Sequence, residues 1–321
     1  MIFALLQIWS VEHLYNYLTS FLLLQALAAF VIAAYIYLKN HSELSSIFKT
    51  VASLNIVFLI IALVILPIFA VRSEMWYLIS ISPNVPLTPR LKMFTFEASY
   101  YSFIITPIVG YYLLKKILLR SHYNILFISL CVSLVLSFSL GVIATIIISL
   151  MIIMTMNWNE LRNKVNYNIL SLGIILFVVA MLSLYAFYSH NPLFERLRNI
   201  YNGEDTSARG RTYEAFHIAW NVAKMKSLVF GCGLGQLKYI GRDFVDYYYS
   251  YSKIPTTIRI PNAVAETLCV YGITGIVARL SLIIFLFRQA KVWNNYYRQF
   301  LFWFVFIYQF SGSYLFNPAE Y

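Results

Sequence analysis

Six arginines fall between His190 and Pro261: Arg196, Arg198, Arg209, Arg211, Arg242 and Arg259. A guanidinium grips phosphate oxygens two at a time and keeps its charge at any physiological pH. Close to a membrane face, such groups suit a lipid-linked phosphate or pyrophosphate, stabilising charge as it develops on a leaving group. The plainer reading is a solvated loop drawn to anionic headgroups. Proton transfer would need a base. Glu266 opens an apolar run near the arginines, either as that base or as an ion-pair partner, and Glu97 sits similarly in another run. His217, six residues after Arg211 on the same predicted helix, is a second candidate base or a partly exposed helix histidine. Arg279 lies 13 positions beyond Glu266, about 20 Å along a straight helix, so it reads as a structural or snorkelling residue and not as its partner. Carboxylates and guanidiniums inside a span cost roughly 2.5–3.5 kcal/mol each if central.

Other motifs carry less chemistry. Gly231-Cys-Gly-Leu-Gly235 lacks a preceding strand, the GxGxxG spacing and a GK[ST] ending, so it reads as a helix stop with tight backbone packing. The three cysteines, Cys131, Cys232 and Cys269, show no CxxC pair and support neither a disulfide framework nor zinc. Cys131 and Cys269 fall in apolar runs and read as small packing residues. No HExxH or GxSxG is present, and no metal or cofactor is expected.

The elements that must position these residues are membrane helices. Of the 321 residues 60% are hydrophobic and 12% charged, half the charge of a soluble chain, which carries about 25%. The 26 Tyr and 25 Phe suit membrane interfaces or lipid-facing bulk. A span needs about 20 apolar residues. Runs at Leu14–Leu38, Thr50–Val71, Met93–Leu114, Ile169–Ser189, Ala263–Phe287 and Gln299–Phe316 qualify. The opening MIFALLQIW is too short to span and has no basic start, so no signal peptide is expected. The chain stops abruptly after its last span.

Ile125–Met156 is too long for one untilted span and is interrupted by SFSLG, Ser137–Gly141. Lys115, Lys116 and Arg120 precede it, and Arg162 and Lys164 follow. Positive residues in short loops favour the cytoplasm. The run therefore reads as two short helices with a buried tip, the alternative being one steeply tilted helix. The net charge of +11 is then a matter of sidedness. The loops 39–49, 115–124, 157–168 and 288–298 hold ten basic residues and lie inside, whereas the outer loop 72–92 holds three. This gives an all-α, polytopic transmembrane bundle of eight helices. Residues 1–189 are N-terminal helices, 190–261 a long, partly helical extracytoplasmic loop, and 262–321 C-terminal helices. Within the loop, Thr212–Val229 reads as an amphipathic helix with Phe216, Ala219, Trp220, Ala223 and Leu228 near one face. Asp243–Ser252 suits the membrane surface.

The stretch RGRTYEAFHIAW…LVFGCGLGQL, followed by PNAVAETLCVYGITGI, resembles the O-antigen ligase/polymerase (Wzy-like) family. In that family an Arg-led amphipathic helix runs into a glycine-rich turn. A later element reads His-Asn, nine residues, then Gly-x-x-Gly. Asn262, Gly272 and Gly275 match that spacing, with Glu266 inside it, and SFSLG is similar to the family's Ser-Arg-Gly turn. Pro261 stands where ligases carry His, which leans toward a polymerase, and Leu140 stands where the turn carries Arg.

The resemblance covers about 140 residues, from the turn to the last spans. It implies a type C glycosyltransferase-like enzyme, with more spans than counted above. Such an enzyme joins polyprenyl-pyrophosphate-linked oligosaccharide repeats at the outer face of the bacterial inner membrane. Flippase and chain-length regulator partners are implied, and nucleic acid is not. Arg211 is the first choice for phosphate contact, with Arg209, Arg242, Arg259 and Asn262 behind it and Glu266 and His217 as catalytic candidates. Ligase-type transfer and a lipid-linked oligosaccharide flippase are the rival readings, although no internal repeat of the transporter kind is seen.

Overall fold

Long apolar runs force the backbone to satisfy its own hydrogen bonds, and in lipid that means helices. The computed structural model is an all-α membrane protein and describes residues 7, 12–40, 44–78, 88–119, 124–162, 179, 182–183, 186, 188, 191–249, 259–312 and 315. Its principal helices are α1 (Leu14–Asn40), α2 (Leu44–Ile65), α3 (Ala98–Leu119), α4 (Asn124–Ser137), α5 (Leu140–Met156), α6 (Pro192–Tyr201), α7 (Thr206–Arg211), α8 (Tyr213–Lys226), α9 (Arg242–Tyr249), α10 (Ala263–Gln289) and α11 (Tyr296–Tyr308). The strands β1 (Trp76–Tyr77) and β2 (Arg90–Leu91) pair antiparallel. Among the described residues, α1 and α2 are long and apolar enough to cross a membrane, as is α10 by length and composition, although it is broken at Gly272. α1 leaves Leu18, Leu22, Phe30 and Ile32 exposed, a surface suited to lipid and not to water. The expected span Ile169–Ser189 falls almost wholly outside the described residues.

The chain divides into two units. One comprises Glu43–Asp205 and Val292–Phe304. In it α2 stops at Ile65, short of the expected Val71, because Pro67 disfavours helix in the residue before it. α3 begins at Ala98 and not Met93, which has φ +50. Glu97 is thus outside the span. Its carbonyl accepts the first helical bond, from Tyr101, and its carboxylate accepts from Ser99 Oγ. An acid at a helix start is favourable.

The long run 125–156 is two helices, and the tilted single helix is ruled out by a break at Phe138, φ +52. Both halves pack against α3. The tip is buried at Ser137 and Ser139. Ser102 Oγ donates to Ser137 Oγ at 2.6 Å, and the Arg90 guanidinium donates to Ser137 O at 3.0 Å and Ser139 Oγ at 3.4 Å. Arg196 Nη1 donates to Phe138 O at 3.3 Å. A helix end inside protein exposes carbonyls that need donors, and here two arginines help to supply them.

The other unit comprises Met1–Ser42, Thr206–Lys291 and Val305–Tyr321. Its core joins Ala215, Ile218, Ala219 and Val222 of α8 to Ala265 and Cys269 of α10, with Cys232, Leu237, Val245 and Ile260. The buried face of α8 differs from the expected one. Ala219 and Ala223 are shared, but Trp220 is exposed and Phe216 only half-buried. Ala215, Ala219 and Ala223, four apart, let α8 approach α10 closely, and the indole turns outward under Lys224, whose Nζ stands 5.5 Å from the ring centroid.

The run 263–289 is broken at Gly272, with φ +66 and ψ −160. A straight helix would have bonded Ile273 N–H to Cys269 O and Thr274 N–H to Val270 O. The turn 228–233 takes over all four groups. Ile273 and Thr274 N–H donate to Leu228 O and Val229 O at 3.0 and 3.1 Å, while Cys232 and Gly233 N–H donate to Cys269 O and Val270 O at 2.8 and 3.1 Å. Gln7 Nε2 adds bonds to Phe230 O and Val270 O. α8 stops at Lys226 with Ser227 as its cap, short of the expected Val229, so the glycines do not end it; their expected tight packing holds, and it splices the turn into the broken helix.

Candidate functional site

Arg211, Asn262 and Glu266 come together where the end of α7, the start of α10, residues 309–310 and Leu315 meet. Asn262 caps α10: its Oδ1 accepts from Ala265 N–H at 2.9 Å, the geometry that makes Asn a strong cap. Its amide nitrogen donates to Arg211 O at 2.8 Å and to Phe310 O at 2.7 Å. Asn262 is fully buried, so it acts on the site by fixing the backbone of Arg211. α11 was expected to run to Phe316 but stops at Tyr308. Gln309 O and Phe310 O leave the helical ladder to accept from Ala263 N–H at 3.1 Å and from Asn262.

Glu266 is buried one turn into α10, and its Oε2 accepts from Leu315 N–H at 2.6 Å. Arg279 donates to Gln309 Oε1 and to Thr267 Oγ1, both at 3.2 Å. Thr267 is twelve positions away, about 18 Å along a straight helix, so the reach is possible only because α10 folds back at Gly272. The straight-helix expectation fails there, although Arg279 is the structural partner it was read to be.

The arginines divide by environment. Arg209 pairs with the buried carboxylate of Glu214 while its own side chain is 55% exposed. Arg211 is half-buried; Arg242, at the start of α9, and Arg259, just before buried Ile260, are exposed. His217 is on the exposed face of α8, with Nδ1 3.0 Å from Asn221 Nδ2.

Arg196 leaves the anion-binding set. It is buried in the first unit, with Nε 3.4 Å from Asp205 Oδ2, and holds the 137–139 turn. Arg198 remains exposed on α6. Sequence reasoning missed Arg90, which reaches the same turn from β2. Its only local signal is an Arg set between Pro89 and Leu91 in the short loop 72–92. Leu140 stands where the resemblance puts an Arg, and Arg90 and Arg196 bring guanidiniums to that turn from elsewhere in the chain.

Asn262→Ala would remove the cap and strand the carbonyls of Arg211 and Phe310. The expected loss is roughly 3 kcal/mol of stability, read as a lower unfolding midpoint in detergent. Asn262→Asp keeps the cap acceptor but not the donor, and should fall between wild type and the Ala variant.

Comparison with known proteins gives one family. Residues 125–280 match the family model described as O-antigen ligase, a little under half of the chain. The match includes the 137–139 turn, Arg209, Arg211, Asn262, Glu266 and Arg279. No curated protein and no solved structure matches.

Proposed function

We propose, from the premise that this chain carries an O-antigen ligase family domain over residues 125–280, that the protein polymerises lipid-linked oligosaccharide repeats. The donor is a polyprenyl-pyrophosphate-linked repeat at the outer face of the bacterial inner membrane. The acceptor hydroxyl attacks the anomeric carbon, and the lipid pyrophosphate departs. Fixed guanidiniums take up its charge as it leaves. Arg211 carries that role, with Arg209, Arg242 and Arg259 drawing in the anionic lipid. The observation that supports this most directly is the clamp on Arg211: Asn262, itself the cap of α10, holds its backbone while the side chain stays half-buried. A held backbone shortens the search of the guanidinium, and a charge placed in advance costs less reorganisation during reaction.

Glu266 and His217 are the candidate bases for the hydroxyl. Glu266 lies in the buried cap region beside the Arg211 clamp, and His217 faces outward from α8. The reading places residues 190–261 outside the cytoplasm, between the N-terminal helices 1–189 and the C-terminal helices 262–321. Polymerisation is preferred to ligation because Pro261 occupies the position of the ligase histidine. A flippase and a chain-length regulator are the partners such a reaction implies.

Chain-length analysis of surface glycan in a deletion strain tests the proposal. A glycan of one repeat unit is the expected result. Full-length polymer trapped on the carrier would indicate a ligase instead, and repeats held on the inner leaflet a flippase.

A further inference from the structure

We propose that Cys232 and Cys269 are joined by a disulfide in the mature protein, pinning the glycine turn to the broken helix. The two residues lie 37 positions apart, both are fully buried, and their Sγ atoms stand 3.7 Å apart. A disulfide requires about 2.05 Å between sulphurs and Cα atoms about 4.4–6.8 Å apart. The backbone meets the second condition without moving. Cys232 N–H donates to Cys269 O at 2.8 Å, and a bond of that length holds the two Cα atoms within about 6.7 Å. Side-chain rotation alone must close the remaining gap.

The neighbouring bonds prevent the pair from drifting apart. Gly233 N–H to Val270 O, Ile273 N–H to Leu228 O and Thr274 N–H to Val229 O fix the register on either side. At Gly231 a side-chain carbon would lie 2.4 Å from the Val270 backbone, so the turn is pressed against the strand-like break and cannot slide. Glu266 lies one helical turn before Cys269, on the segment that Asn262 caps. The cross-link thus fastens the segment carrying the proposed base and the Arg211 clamp to the glycine turn that follows α8.

The compartment supplies the chemistry. This part of the inference rests on the outward orientation proposed above for residues 190–261. Outside the cytoplasm disulfides form and persist. The two thiols give up two protons and two electrons as the Sγ–Sγ bond forms. A dithiol–disulfide oxidase of that compartment accepts both electrons and protons, its own disulfide being reduced to two thiols. Oxidation takes place while the turn is still docking, and burial then shields the bond from reductants.

The test uses the full chain in membranes of cells grown in air that carry such an oxidase. Free thiols are alkylated with N-ethylmaleimide under denaturing conditions, before and after reduction, and counted by mass. The expected result is one label before reduction, on Cys131, and three afterwards. Cys131→Ser should give none before and two after. A reporter fusion within residues 200–249 is scored in parallel. Three labels before reduction with an extracytoplasmic fusion reject the disulfide alone. Three labels with a cytoplasmic fusion reject the outward orientation and the disulfide together.

Discussion

Arg211→Ala is expected to cut polymer formation at least about 100-fold, the loss of ~3 kcal/mol of transition-state stabilisation typical of one removed oxyanion donor. The prediction is sharp because the fold does not depend on the Arg211 side chain for the clamp. The bond to Asn262 uses the Arg211 carbonyl, which alanine keeps. The variant should therefore keep the Asn262 clamp and insert in the membrane, while its surface glycan shortens to single repeats. Arg211→Lys separates charge from geometry. An ammonium keeps the charge but loses the two-point grip on phosphate oxygens, so partial activity is expected, with shorter chains. Normal long-chain glycan from the Ala variant would remove Arg211 from the reaction.

Gly272→Ala should fail at an earlier stage, by preventing the fold. At φ +66 and ψ −160 the backbone is in a region essentially reserved for glycine, where a side chain costs of order 1–3 kcal/mol. A Cβ would also stand 2.4 Å from Val229 O and 2.6 Å from Gly231 N. Both are backbone atoms held by the splice, so neither can rotate aside. A total of about 4 kcal/mol or more is expected, seen as loss of monodisperse protein after extraction. Gly141→Ala is the matched control. A Cβ there meets nothing within 4 Å on an ordinary helix, and alanine should be neutral or stabilise by roughly 0.5–1 kcal/mol. Equal effects from the two changes would refute the splice as the source of the sensitivity.

Local signals carried much of the architecture. The division of 125–156 into two helices follows from the basic residues flanking the run and the small residues at its centre, and the buried turn at Ser137–Ser139 agrees. The glycine segment was readable as tight backbone packing because its spacing fits no phosphate loop, although α8 ends before it at Lys226. The candidate site was only half legible. Arg209 and Arg211 stood out by type and position, but nothing near Asn262 in sequence revealed that its amide would bind Arg211 O, 51 positions away. Arg196 looked equivalent to Arg198, yet one is buried beside Asp205 and the other exposed. Type and spacing are the same for both; only packing separates them.

Composition, periodicity and flanking charge are properties of a few neighbouring residues, so the sequence by itself determined the helical membrane class, most helix positions and the arginine-rich stretch. Tertiary structure alone decided which face of α8 is buried, where α10 folds back and which distant carbonyls Asn262, Arg90 and Arg196 satisfy. It also decided that two cysteines 37 positions apart face each other. The reason is that a helix broken inside protein must find new partners for its freed N–H and C=O groups. Those partners come from whichever remote segment packs there, a choice written in three-dimensional neighbours and not in the local chain.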